Sequence, residues 1–247
     1  MVFKFRFIVL FLLVFFIPRV NRAQRAKAFG IRAVAFYSSQ QLFRGAVIWP
    51  KPIFFPAPML VFYERFFLAG PNLFFSPTKR EDSFQWRIGS QFIDDDDPPI
   101  SLGTHEEDYR NRRKSTIETN IQGSYSFGER KGYRVGGLLA REWKEGNGLH
   151  TEVFAAAPLL PFTSLRARVS FSEKGMSQYV HGPSGSSGIG FTSLGINGVM
   201  PFVPWDGIIL VNFTRFWIMQ EANQQADFIR GDDKNNVFSF RVVWNAL

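Results

Sequence analysis

The sequence predicts an all-β protein, a closed antiparallel transmembrane β-barrel of about 12 strands, with 10 strands also admissible. Apolar and polar residues alternate over segments of ten or more residues, which is typical of strands with two different faces. Connecting segments alternate between short and long, as in outer-membrane barrels. Phe accounts for 29 of the 247 residues, more bare aromatic surface than a water-soluble domain of this size readily hides.

The first 28 residues predict an export signal. Basic residues Lys4 and Arg6 precede an apolar run from Phe7 to Ile17, and Pro18 and a polar stretch follow. This run is too short for a membrane-crossing helix, which needs about 20 residues. We expect a signal peptide over residues 1–28, cleaved between 23 and 28, and one barrel domain over residues 29–247. An uncleaved short anchor is the alternative.

The formal charge of +8 is concentrated in this same N-terminal segment. Six basic residues and no acidic residue precede position 29, so the remaining chain carries 23 basic against 21 acidic side chains. This balance removes the main support for nucleic-acid binding. Because the chain has no Cys, it has no disulfide framework, no thiolate metal site and no Cys nucleophile.

The clearest strand spans 115–128, where Ile117, Ile121 and Tyr125 share one face and Glu118 lies on the other. A soluble sandwich could show the same alternation, but these strands are long and carry aromatic residues toward their ends, as membrane-interface girdles do. We therefore expect the apolar face to meet lipid and the polar face to line a lumen. The predicted strands are 29–37, 40–49, 57–63, 66–75, 83–94, 115–128, 132–143, 149–157, 160–172, 190–200, 206–217 and 235–245.

The connections sort into two sets by position. Segments 95–114, 144–148, 173–189 and 218–234 alternate with the short segments 76–82, 129–131, 158–159 and 201–205. Outer-membrane barrels have short periplasmic turns and longer external loops. The pattern predicts that the protein lies in the cell outer membrane of a Gram-negative bacterium, in contact with lipid and lipopolysaccharide.

No segment predicts a catalytic, cofactor or metal site. The loop from Asp94 to Lys114 is dense in carboxylates and could hold Ca²⁺, but consecutive Asp residues lack the spacing of a calcium loop, so we favour a solvated loop. His105, His150 and His181 lack metal-ligand spacing. Ser184 lies near His181 without the strand-turn-helix setting of a nucleophile elbow.

Charged residues on the polar faces have two interpretations, an anion-selective pore or ion pairs across a narrow lumen. We favour ion pairs. The residues concerned are Arg87, Arg141, Arg166, Arg168 and Arg241, with Glu118 and Glu142.

The segments Pro56-Ala57-Pro58, Gly132-Tyr133 and Arg113-Lys114-Ser115-Thr116, together with Tyr179, resemble motifs of the MipA/OmpV family of Gram-negative outer-membrane proteins. Pro56-Ala57-Pro58 is similar to the family's PxP segment, and Gly132-Tyr133 begins a strand as in relatives. Tyr179 stands in a reduced form of the family's tyrosine-rich loop. More specific is the RKST stretch that opens the clearest strand, formed by Arg113, Lys114, Ser115 and Thr116.

The resemblance implies a non-enzymatic scaffold that brings a lytic transglycosylase to a penicillin-binding protein, or that mediates envelope contacts. It supplies no catalytic residues and no cofactor. A small outer-membrane pore is the alternative, and a barrel-rim lipid or peptide hydrolase is the third hypothesis. A secreted soluble β-domain would require the aromatic faces to pack on each other.

Overall fold

The computed structural model describes residues 29–63, 65–70, 72–78, 82–93, 114–128, 132–202, 207–229 and 233–245. Twelve antiparallel strands close into a barrel, in which the first strand, Phe29–Ser38, pairs with the last, Lys234–Asn245, on one side and with the strand Ile53–Phe62 on the other. This confirms the predicted fold class. The barrel strands are β1 (Phe29–Ser38), β4 (Ile53–Phe62), β5 (Phe66–Ala69), β6 (Asn72–Phe75), β7 (Phe84–Ile93), β8 (Thr116–Phe127), β9 (Tyr133–Glu142), β10 (Leu149–Leu160), β11 (Thr163–Ser172), β12 (Gly188–Phe202), β13 (Gly207–Ile218) and β14 (Lys234–Asn245).

Two of the predicted strands were wrong, although the predicted total of 12 is correct because one of them is not a wall strand and the other is two wall strands. Segment 40–49 is not part of the wall; it forms a separate hairpin of β2 (Gln41–Phe43) and β3 (Ala46–Trp49). Segment 66–75 is not one strand but two, β5 and β6, because the chain turns at Gly70, which has φ of +57°. A positive φ is readily available to glycine and ends the strand there.

From β7 onward, long and short connections alternate as predicted, whereas before it β5 and β6 are joined by two residues, 70–71, and β6 and β7 by eight, 76–83. The strand ends that are joined by 94–115, 143–148, 173–187 and 219–233 lie at one end of the barrel, which we call the loop end. The strand ends that are joined by 63–65, 128–132, 161–162 and 203–206 lie at the other, which we call the turn end. Two short helices occur in the loop-end connections, α1 (Lys174–His181) and α2 (Glu221–Gln224). Among the described residues, no helix is long and apolar enough to span a membrane.

The outer face of the wall is apolar and exposed. Along β8, Ile117, Ile121 and Tyr125 are each about half exposed, whereas Glu118 is fully buried on the inner face. Apolar side chains left on the surface of a closed barrel are typical of strands that span a membrane, because the closed sheet pairs every backbone group. The predicted orientation of the two faces is therefore confirmed.

Aromatic side chains ring both ends of this apolar surface. At the turn end, Tyr125, Phe127 and Tyr133 stack with ring centroids 6.1 and 5.7 Å apart. At the loop end, the Arg141 guanidinium lies 4.8 Å from the ring centroid of Trp143. Such rings match the two interface girdles of a membrane barrel.

The short strands β5 and β6 leave one edge of the wall only partly paired. β5 contacts β4 only from Met59 to Phe62, so among the described strands residues 53–58 of β4 pair only with β1. Pro56 and Pro58 lie in this stretch. Because proline has no backbone N–H, it is suited to an edge that offers no acceptor.

A hairpin plug in an arginine-rich lumen

The connection from β1 to β4 folds into the barrel. We call residues 39–52, which contain β2 and β3, the plug hairpin. Ser38 and Ile53, on either side of it, are direct cross-strand partners, so the wall is continuous without the plug hairpin. All four residues of β3 are buried, unlike the alternating exposure of a wall strand. The plug hairpin is thus an insert in the lumen.

A two-residue turn at Arg44 and Gly45 forms the tip of the plug hairpin. Both residues have positive φ, +52° and +87°, which defines the primed turn that suits twisted hairpins. Asn and Gly favour this conformation, whereas Arg does not. The tip also lies against the far wall, since a Cβ on Gly45 would be 2.9 Å from the Cβ of Phe191. Glycine is therefore required here by both backbone conformation and space.

The unfavourable backbone of Arg44 is offset by a cluster of buried charges. Its Nη2 donates to both carboxylate oxygens of Glu118 at 2.7 and 2.6 Å, and its Nη1 donates to Glu152 at 2.8 Å. The Arg44 side chain is 9% exposed and that of Glu118 is 0% exposed. Gln91 donates a further hydrogen bond to Glu118 at 2.9 Å, and His150 shares one with Glu152 at 3.1 Å. We call Arg44, Glu118 and Glu152 the Arg44 cluster.

Apolar contacts hold the plug hairpin on two sides. Ala46 is completely buried among side chains of α1 and of the last loop-end connection, and Phe43 packs against the same group. Leu42 packs against a second buried group on the far wall. The first group is Met176, Tyr179, Val180, Ile218 and Ile229; the second is Phe191, Phe216 and Val237. The loop end is therefore filled by the plug hairpin and by the connections that carry α1 and α2.

The lumen between the plug hairpin and the turn end is lined with arginines. Arg87, Arg134 and Arg241 face inward from β7, β9 and β14 yet are exposed, so this part of the lumen is accessible to water. Their partners are neutral: Arg87 donates to Gln122 at 3.0 Å and Arg134 to Gln85 at 2.8 Å. Within the described chain, the expected ion pairs across the lumen are thus absent for Arg87 and Arg241, and Arg134 likewise has no carboxylate within ion-pair distance.

Arg168 is the wall arginine that does face a carboxylate, with its Nη1 3.9 Å from Glu152. Arg166 instead stacks on Phe154, its guanidinium carbon 4.0 Å from the ring centroid. Immediately below the plug hairpin, these two arginines, Arg87 and the Arg44 cluster line a cavity of about 370 Å³.

Two of the predicted lumen charges, Arg141 and Glu142, do not form ion pairs across the lumen. Arg141 was placed wrongly: it pairs with Thr119 and Leu149 on the outer face, beside Trp143. Glu142 does face inward but binds a turn instead of an arginine. Its carboxylate accepts hydrogen bonds from the Thr116 hydroxyl and from backbone N–H groups of the turn 144–147, including Lys144 at 2.8 Å.

The residues that resemble the family motif come partly together. Thr116 is the first residue of β8, and the Tyr179 hydroxyl, on α1, donates to the backbone carbonyl of Lys114 at 2.9 Å. Ser115 lies between Lys114 and Thr116 in the chain, at the loop end, whereas Pro56 and Pro58 lie on β4. Arg113, like the signal peptide 1–28, lies outside the described residues.

The histidines and Ser184 do not form a hydrolase site among the described residues. His150 is buried on β10 and bonds Ser172 at 2.8 Å, and His181 bonds Ser177 on its own helix at 3.1 Å. Ser184 donates to Asp227 at 3.3 Å. His105 and most of the acidic loop lie outside the described chain. Within the described part, no three His, Asp or Glu side chains are grouped so that they could hold a metal ion.

Three residues of the site went unrecognised in the sequence, namely Arg44, Arg134 and Glu152. A signal for Arg44 was present, since an Arg-Gly pair between the apolar segments 41–43 and 46–49 is compatible with a two-residue turn. The sequence also contained a signal for Arg134, because this residue alternates with Tyr133 and Val135. Glu152 could be assigned to a polar face, but not to a contact with residue 44.

No protein-family model matches the chain, and no curated protein matches it. Among solved structures, the chain is similar to the KdgM porin, with 8% identity, 86% of this chain and 98% of that chain covered, and a TM-score of 0.41. The NanC porin is 10% identical, with 89% and 100% covered and a TM-score of 0.41. An outer membrane channel from Pseudomonas putida F1 is 8% identical, with 92% and 100% covered and a TM-score of 0.43. At such identities and TM-scores, these likenesses carry nothing about what this chain binds.

Proposed function

We propose that this protein is a non-enzymatic outer-membrane channel that passes small anionic solutes when the plug hairpin leaves the lumen. The observation that carries the proposal is the plug hairpin itself. It fills the loop end of a lumen that is otherwise water-accessible, and the wall pairs continuously from Ser38 to Ile53 without it. A segment needed only for the wall would not have to enter the lumen.

The membrane assignment is supported by the outer surface of the barrel. Half-exposed Ile117, Ile121 and Phe213 form part of an apolar surface with aromatic rings at both ends. The basic and apolar pattern of residues 1–28 favours export. Exported closed barrels with such a surface belong in an outer membrane.

The selectivity for anions is supported by the charge of the lumen. Six arginines face inward from the described wall, and the plug hairpin adds Arg44, whereas Glu118 and Glu152 are the carboxylates that they meet. Rings of fixed charge of one sign favour passage of the opposite sign. The six wall arginines are Arg32, Arg87, Arg134, Arg166, Arg168 and Arg241.

The test compares the full chain with a variant in which residues 39–52 are replaced by Asn-Gly. Because Ser38 and Ile53 are opposite each other, this change joins β1 and β4 by an ordinary two-residue turn. In planar bilayers we expect steady conductance from the variant and rare openings from the full chain. A salt gradient should give a reversal potential of anion-selective sign, and Arg87→Gln should reduce it.

A matched control replaces Arg215, which stacks on Trp217 on the outer face, by Gln. This variant loses one positive charge but none from the lumen, so its selectivity should equal that of the unchanged chain. The proposal is wrong if the shortened barrel assembles, migrates differently before and after heating, and still conducts no ions.

Scaffolding of a lytic transglycosylase and a penicillin-binding protein, implied by the MipA/OmpV resemblance, stays a prediction. It would use the periplasmic side, where turns such as 63–65 and 161–162 offer a small surface. Affinity purification from envelope extracts, with and without substitutions in these turns, separates the two roles. Turn-dependent recovery of murein enzymes would favour the scaffold, and unchanged recovery would contradict it.

A further inference from the structure

The cavity beneath the plug hairpin has an excess of positive charge. Its charged lining consists of four arginines and two glutamates: Arg44, Arg87, Arg166, Arg168, Glu118 and Glu152. Both glutamates are engaged, Glu118 by Arg44 and Glu152 by Arg44 and Arg168. Among the described residues, no carboxylate lies within ion-pair distance of Arg87 or Arg166. The cavity therefore carries two positive charges that its own wall does not neutralise.

Each of these two guanidinium groups lies over an aromatic ring. The Arg166 carbon lies 4.0 Å from the Phe154 centroid, and the Arg87 carbon lies 5.3 Å from the Phe74 centroid. Stacking of this kind engages the flat face of a guanidinium and leaves its edge N–H groups available for bidentate bonds to an anion. Arg166 has one such donor, Nε, that is buried and makes no hydrogen bond. A buried donor without an acceptor is unfavourable.

The size and remaining lining of the cavity suit a small organic molecule. Its volume of about 370 Å³ lies at the lower end of the range for small-molecule sites. Asn120 and Gln122 supply neutral polar groups, and Phe74 and Phe154 supply apolar surface. A single halide ion would leave most of this space empty and one of the two arginines without an anionic partner.

We propose that this cavity binds a compact organic dianion, such as a short dicarboxylate, with one anionic group at Arg166 and the other toward Arg87. The binding site follows from the geometry of the cavity; that the dianion is a transported solute rests on the channel function proposed above. Two anionic groups on one molecule match the two arginines that lack a carboxylate partner, and Phe74 and Phe154 give its carbon chain an apolar surface in the same cavity.

Calorimetric titration of the full chain in non-ionic detergent micelles tests the proposal. With succinate we expect saturable binding of one equivalent, and with butyrate, which has similar length but one charge, at least about tenfold weaker binding. Hydrogen phosphate, a dianion without a carbon chain, should bind more weakly than succinate. Arg166→Gln should weaken succinate binding about tenfold or more. Equal affinity for succinate and butyrate would overturn the proposal.

Arg32→Gln is the matched control, because Arg32 also faces the lumen and stacks on a ring, Phe67, but does not line the cavity. Succinate affinity should be unchanged in this variant, and an equal loss in both would mean that only the general field of the lumen attracts the anion. Arg166→Lys provides a second test if the Gln variant does not assemble, since it keeps the positive charge and loses the two parallel N–H donors of the guanidinium. Succinate affinity equal to that of the unchanged chain would contradict bidentate binding.

The two proposals fail in different ways. Conductance through the barrel lacking residues 39–52, together with no succinate binding by the full chain, would refute the dianion site alone. Succinate binding without any conductance would refute the channel alone.

Discussion

Replacing Arg44 by Asn should release the plug hairpin while leaving its turn intact. Asn favours the positive φ that residue 44 adopts, so the substitution removes the buried charge contacts without weakening the turn. Glu118 and Glu152 then remain buried without their shared cation. Most mutations at a hairpin tip change the turn and its contacts together, whereas this one separates them.

The size of the effect follows from the Arg44 cluster. Removing one partner of a buried ion pair costs about 3–5 kcal/mol. Relief of the left-handed backbone at residue 44 returns about 1 kcal/mol. The net loss of about 2–4 kcal/mol corresponds to a roughly 30- to 700-fold shift toward the undocked hairpin, since a tenfold change equals about 1.4 kcal/mol.

Native-state hydrogen exchange measures this shift directly. Amides of β2 and β3 should exchange faster by the factor above, whereas amides of β8 and β11 in the wall should be unchanged. Adding Glu118→Gln to the Arg44 variant should restore part of the protection, because it removes one of the two stranded charges. Unchanged exchange in β2 and β3, or equal acceleration in wall strands, would show that the Arg44 cluster does not hold the plug hairpin.

Three further predictions concern other parts of the fold. Gly45→Ala should loosen the plug hairpin by about 1–2 kcal/mol, because its Cβ meets Phe191 and its φ is positive; bilayer recordings should show more frequent openings than in the unchanged chain. Val169→Arg should cost about 2–4 kcal/mol in reversible folding into lipid vesicles if position 169 lies near the midplane. A spin label at 169, but not at 168, should be relaxed by lipid-soluble oxygen; equal relaxation at both sites would contradict the assignment, and stronger relaxation at 168 would mean that the two faces are reversed. Glu142→Gln should cost about 1.5–3 kcal/mol, because the carboxylate holds the turn 144–147; exchange should accelerate in that turn first, and uniform acceleration would contradict this role.

The sequence predicted the wall best where strands are long and each face has one character. From residue 83 onward, most of the predicted bounds lie within two residues of the observed ones, because alternation over ten or more positions is unambiguous. β10 and β12 extend further than predicted. The segments 40–49 and 66–75 were misjudged because both are apolar runs interrupted by a glycine turn. Ala46–Trp49 is apolar without alternation, which is typical of burial on both faces.

The candidate site was predicted only in part, for a different reason. Local alternation is enough to predict that Arg87, Arg166 and Glu118 face inward. In the Arg44 cluster, by contrast, Arg44 bonds Glu118, which is 74 positions away in the chain, and Glu152, which is 108 positions away. Only the closure of the barrel brings these residues together. Whether a lumen arginine meets a carboxylate or an amide also depends on the register across strands, which alternation does not specify.

The plug hairpin remains joined to the wall at both ends, through Ser38 and Ile53. Its departure from the lumen is therefore a unimolecular rearrangement, and its return does not require a diffusing partner. Hairpins of this size form in about 1–10 μs, so an undocked tip would attempt to dock again in the lumen on that timescale. Openings should consequently appear in single-channel records as brief, clustered interruptions of a closed baseline, with a frequency that is independent of protein concentration.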